Sequence, residues 1–150
     1  MKLKQLSVFL ENAPGRLYEA THALGEAGLN LRSLSISDTG GFGVLRILVS
    51  DVGRARRVIM EKLFPARVDE VVAVGIDDVP GSLADSVLRL LLDTQVNVEY
   101  MYSLAGTGSA SGKAVMIFRF NDNDRAIEIL QEKGVEILDA ASFGIIDNHS

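Results

Sequence analysis

The chain has no cysteine, two histidines and three prolines in 150 residues. Without cysteine there can be no disulfide, thiol nucleophile or cysteine-bound metal. His22 and His149 are the only imidazoles; neither has a partner at metal-ligand spacing, and neither stands beside a turn bearing a nucleophile. No metal, cofactor or Ser-His-Asp chemistry is therefore expected. Basic side chains are outnumbered, 15 against 20, for a formal net charge of −5. That balance argues against nucleic acid and against an anionic membrane surface as partners. No apolar run approaches the roughly 20 residues of a membrane span. Met1 to Leu6 lacks the apolar centre of a signal peptide, so a reducing, cytoplasmic location is expected.

A phosphate loop is missing too. Gly106-Thr107-Gly108-Ser109-Ala110-Ser111-Gly112-Lys113 puts Thr107 where the first glycine belongs and Ala114 where a magnesium-binding hydroxyl belongs. It precedes a strand pattern rather than a helix, and is read as a hairpin connection. Arg54, Arg56, Arg57 and Lys62 read as a solvated helix face.

What the chain does contain is a repeat. Glu11-Asn12-Ala13-Pro14-Gly15-Arg16-Leu17 lies between an alternating apolar run and a helical pattern; Asp77-Asp78-Val79-Pro80-Gly81-Ser82-Leu83 stands in the same context. A strand that turns into a helix through x-Pro-Gly-x-Leu presents main-chain N–H groups at a helix start, where an anion or carboxylate is favoured. Glycine lets a ligand approach the backbone closely.

The order of elements repeats around these turns. Leu6, Val8 and Leu10 mark a first strand, and Leu17, Ala20, Leu24 and Ala27 an inward helix face closed by Gly28. Leu29 to Ser37 and Phe42 to Val49 read as a hairpin turning at Asp38-Thr39-Gly40-Gly41. Ser50 or Asp51 caps a second helix to Leu63, with Val58, Ile59 and Leu63 inward. Val68 to Ile76 is long enough to close one copy and open the next. The second copy predicts a helix over Gly81 to Thr94 with Leu83, Val87, Leu90 and Leu91 inward, and strands at Val96 to Leu104 and Lys113 to Phe120. A helix capped by Asn121-Asp122-Asn123-Asp124 ends at Gly134, and Val135 to Leu138 closes the copy; Phe143 to Ile146 could add an edge strand. Each half reads strand-helix-strand-strand-helix-strand, a ferredoxin-like α+β unit with two helices on one face of an antiparallel sheet.

Asn12-x-Pro14-Gly15-x-Leu17 followed by Gly28-Leu29-Asn30-Leu31 resembles the ACT domain, a small-molecule regulatory module of amino-acid metabolism. Asp78-x-Pro80-Gly81-x-Leu83 with Val96-Asn97-Val98 fits the same pattern more loosely. The resemblance spans nearly the whole chain. It implies two ACT-type repeats, residues 1–70 and 71–150, packed side by side.

The resemblance also implies a pocket at a domain interface, formed by the turn and the asparagine after the first helix. Carried onto this sequence, the ligand-binding residues are Asn12, Ala13, Pro14, Gly15, Arg16, Leu17, Asn30 and Leu31 in the first copy. In the second they are Asp78, Val79, Pro80, Gly81, Ser82, Leu83 and Asn97. N–H groups near Gly15 to Leu17 would take a ligand carboxylate and the amide oxygens of Asn12 and Asn30 an ammonium, with Arg16 adding charge or pointing to solvent. The second copy replaces Asn12 by Asp78 and Arg16 by Ser82, so the first is expected to bind better. The implied function is a non-catalytic, homodimeric sensor of an L-amino acid. Alternatives are a regulatory subunit of an amino-acid biosynthetic enzyme, on the pattern of acetohydroxyacid synthase, and a structural module whose turns are only strand-to-helix connections.

Overall fold

The computed structural model describes residues 1–104, 113–143 and 145. They divide into two compact units: residues 4–69 with the segment that begins at Ala140, and residues 1–3 with residues 70–139. The connection expected over 106–113 lies, up to Gly112, outside the described residues.

The first unit comprises β1 (Leu3–Glu11), α1 (Arg16–Glu26), β2 (Leu31–Thr39), β3 (Phe42–Val49), α2 (Val52–Glu61) and the first residues of β4 (Ala66–Asp77). β3 lies between β1 and β2 and runs antiparallel to both, with Val8 and Ile36 opposite Leu45. The alternation in the sequence sends Leu6, Val8 and Leu10 to the same side as Leu45, Ile47 and Val49, where Ala20 and Leu24 of α1 and Val52, Ala55 and Ile59 of α2 cover them. Gly40 and Gly41 form the two-residue hairpin turn with φ of 60° and 87°. That pair of positive φ values matches the twist of the flanking strands.

The second unit takes the rest of β4 as its first strand and adds β5 (Val98–Leu104), β6 (Lys113–Phe120), α3 (Asn123–Glu132) and β7 (Glu136–Leu138). β4 is flanked by β6 and β7, and β5 pairs with β6, all antiparallel. Its core joins Val72, Val74 and Ile76 to Phe118, Phe120, Ile129 and Leu130. Both units are thus ferredoxin-like, and β4 serves as closing strand of one and opening strand of the other. Asp51 and Asp122 cap the second helix of each unit, accepting from the N–H of Arg54 at 3.2 Å and of Arg125 at 3.0 Å.

Three expectations fail. Leu17, expected inward, is 39% exposed in the first turn of α1. Leu63 is 89% exposed, with φ of 67°, because α2 has already ended and the chain reverses there in the left-handed conformation. The segment after Asp139, whose course the sequence left open, begins with a 3₁₀ turn, Ala140–Phe143; 144 and 146 lie outside the described residues.

The third failure matters most. The first helix of the second unit is not an α-helix: Leu83–Val87 form one π turn and Leu88–Leu91 one 3₁₀ turn. Val87 and Leu91 are buried, and Leu83, Leu88 and Leu90 pack partly against the same core. These five apolar side chains spread over more arc than a 3.6-residue stripe provides. Widening and then tightening the ladder brings all of them to the core.

Candidate functional site

Both x-Pro-Gly-x sequences fold into the same turn. The N–H of Arg16 donates to the Ala13 carbonyl at 3.3 Å, and that of Ser82 to the Val79 carbonyl at 3.2 Å. Gly15 has φ 87° and ψ −13°, and Gly81 has φ 83°. Proline second and a left-handed glycine third make a type II β-turn. Proline is therefore outside the helix rather than in its first turn, and the Arg16 and Ser82 amides are used by the turn itself. The N–H groups of Leu17 and Tyr18, and of Leu83 and Ala84, have no acceptor among the described residues.

The asparagines after the first helices are also treated alike. Asn30 N–H donates to Ser50 Oγ at 3.1 Å and accepts at its carbonyl from Ser50 N–H at 3.0 Å. Asn97 N–H donates to Asn121 Oδ1 at 2.8 Å, and Asn121 N–H returns to the Asn97 carbonyl at 3.0 Å. Each asparagine is thereby tied to the residue before the Asp51 or Asp122 cap.

Around the first turn, Asn12, Ala13, Pro14, Gly15, Leu17 and Asn30 are exposed, and Leu31 is half-buried in β2. Arg16 sits between two carboxylates, 3.6 Å from Glu11 and 3.2 Å from Glu19. Its charge is already compensated. The neighbouring hollow, about 440 Å³, is lined by Phe9, Glu11, Arg16, Phe42 and Lys62–Pro65, so Arg16 alone of the expected residues reaches it.

The second turn differs. Asp78, Val79, Gly81, Ser82 and Leu83 all line one cleft of about 510 Å³ within the second unit. Pro80 is exposed at its edge, and Asn97 is not among the lining residues. Sheet residues form the floor. Ile76 pairs with Ala114, and Met116 with Val74 and Ser103, so Ile76, Ala114, Met116 and Ser103 share one face. Leu88 also lines the cleft. The sequence gives no sign of this floor, because strand pairing alone brings β4, β5 and β6 together beneath the turn.

The charged groups of this cleft are of one sign. No lysine or arginine lines the cleft beside Asp77 and Asp78; Lys113 stands opposite Asp77 across the β4–β6 pair, outside the lining. Ser82 is 6% exposed, and its hydroxyl oxygen is buried without a hydrogen-bond partner. Leaving such a group unpaired costs free energy, so an unpaired hydroxyl asks for a function. A π turn directly behind it fits the frequent placement of π turns at functional sites.

His22, expected on the solvent side of α1, is half exposed, stacked on Tyr18 at 5.2 Å and 3.6 Å from Glu26. No group of three metal-ligating side chains occurs among the described residues, and none of their helices is long and apolar enough to cross a membrane.

Two ferredoxin-like units, each with the same type II turn after its first strand, define a tandem pair of α+β domains. The chain belongs to the ACT family: the model for an ACT domain pair matches residues 1–144. Among solved structures it is similar to protein BT0572 from Bacteroides thetaiotaomicron, with 38% identity over 97% of this chain and 98% of that one and a TM-score of 0.87. The fold is shared with the ligand-free regulatory subunit of aspartate kinase from Thermus thermophilus, at 15% identity over 87% and 91% of the two chains and a TM-score of 0.62. It is shared also with the regulatory subunit of aspartate kinase from Thermus flavus, at 13% identity over 87% and 92% and a TM-score of 0.58. None of the curated proteins compared matches the chain.

Proposed function

We propose that the protein is a non-catalytic sensor that binds a free L-amino acid beside its Pro-Gly turns and passes the signal to another protein. The observation that carries this reading is the cleft at the second turn, with two carboxylates and no cation in its lining and a buried hydroxyl lacking a partner. A zwitterion suits such a place: its ammonium pairs with a carboxylate, and its carboxylate accepts from a hydroxyl and from free main-chain N–H groups. Binding becomes regulation only if the ligand has different affinities for two conformations. The partner is an enzyme of amino-acid biosynthesis, and the working form is a cytoplasmic homodimer.

Thermal denaturation with each of the twenty amino acids tests the reading. A ligand at 100 times its Kd stabilises by about 2.7 kcal/mol. For a chain of this length that raises the melting temperature by about 5–10 °C. The same temperature with all twenty would leave the turns as connections only. Co-purification of a biosynthetic enzyme would identify the partner, and sedimentation would give the oligomeric state.

A further inference from the structure

We infer that the two turns are not equivalent sites: the chain binds one ligand, in the cleft of the second unit, and that ligand is an amino acid with an uncharged apolar side chain. This rests on the amino-acid reading above and reverses the expectation that the first turn binds better.

The argument begins with charge. Asp77 and Asp78 stand at the mouth, and no cationic side chain lines the cleft. A second carboxylate on the ligand would meet the like charge of Asp78 with no cation lining the cleft. An ammonium meets its counterion, and Asp78, beside the Pro-Gly turn, is the residue assigned to it.

The floor decides the rest. Ile76, Leu83, Leu88 and Met116 offer hydrocarbon, and about 510 Å³ accommodates a side chain of leucine or methionine size. A cationic or strongly polar side chain would have to be desolvated against that floor without a partner.

Ser82 completes the site. Its oxygen is closed off without ligand, yet no hydrogen bond holds its side chain in place. Rotation about χ1 turns the hydroxyl toward the cleft, where its O–H donates to the ligand carboxylate. The first turn has no counterpart. Its cation, Arg16, is held between Glu11 and Glu19, and the hollow beside it contains neither Asn12 nor Asn30.

Isothermal titration of the whole protein with L-leucine, N-acetyl-L-leucine, L-glutamate and L-lysine tests this. The expected result is one L-leucine per chain, with N-acetyl-L-leucine, L-glutamate and L-lysine each at least tenfold weaker. Asp78→Asn should weaken L-leucine about tenfold or more, and Asn12→Ala should leave it unchanged. Asp78 is exposed, so its variant should fold, and circular dichroism checks this. Two leucines per chain, glutamate or lysine bound as tightly as leucine, or a loss confined to Asn12→Ala would overturn the inference while leaving the amino-acid reading intact. No heat with any of the four, together with a flat thermal response to all twenty amino acids, would overturn both.

Discussion

Replacing Ser82 by alanine should make the ligand-free protein more stable and the ligand-binding protein worse. Ser82 is 6% exposed, and its hydroxyl has no partner. A buried polar group left unsatisfied costs about 1–3 kcal/mol. Deleting one oxygen removes that cost and leaves a void smaller than a methyl group, so a gain of about 1 kcal/mol is expected. In a 150-residue chain this raises the melting temperature by about 2–4 °C. The ligand complex loses one hydrogen bond, about 0.5–1.5 kcal/mol, or roughly two- to tenfold in Kd. Denaturant melts with and without L-leucine, read beside titration calorimetry, give both numbers. Ser103→Ala is the control: Ser103 lines the same cleft but is exposed, and should change stability by less than about 0.5 kcal/mol. A ligand-free Ser82→Ala protein destabilised by 1 kcal/mol or more would refute the reasoning, since the hydroxyl would then be serving the fold.

Other perturbations separate backbone from side-chain effects. Leu63→Gly should stabilise by up to about 1 kcal/mol in urea, because an exposed leucine at φ 67° carries left-handed strain that glycine lacks. Gly15→Ala should cost about 1–2 kcal/mol although a Cβ there meets nothing within 4 Å, so the loss would be conformational alone. Asp122→Ala should destabilise by about 1 kcal/mol through the lost cap of Arg125 N–H, and Asp122→Asn should recover most of it. A Gly15→Ala protein as stable as the wild type would disprove the type II turn.

Much of the fold was legible because its signals are local. Alternation at Leu6, Val8 and Leu10 reports a strand with one buried face, and Asp51 and Asp122 report helix starts, since a cap acts within three residues. Pro14-Gly15 and Pro80-Gly81 report their turns because proline restricts φ and glycine alone adopts +87° without strain. The π turn was hidden: counting apolar residues between Leu83 and Leu91 gives their number but not the arc the core demands. The cleft was hidden for a related reason. Ser82 and Asp78 could be named from the turn, but whether a hollow lies beside them depends on Ile76, Ala114, Met116 and Leu88, drawn from distant parts of the chain by sheet register and by the irregular helix. Burial of the Ser82 hydroxyl is likewise a product of packing. The sequence alone therefore determined the repeat, the turns and the family, all written in short-range backbone preferences. Tertiary structure decided which of two similar turns opens onto a cleft, because a cavity is made by what neighbouring elements fail to fill.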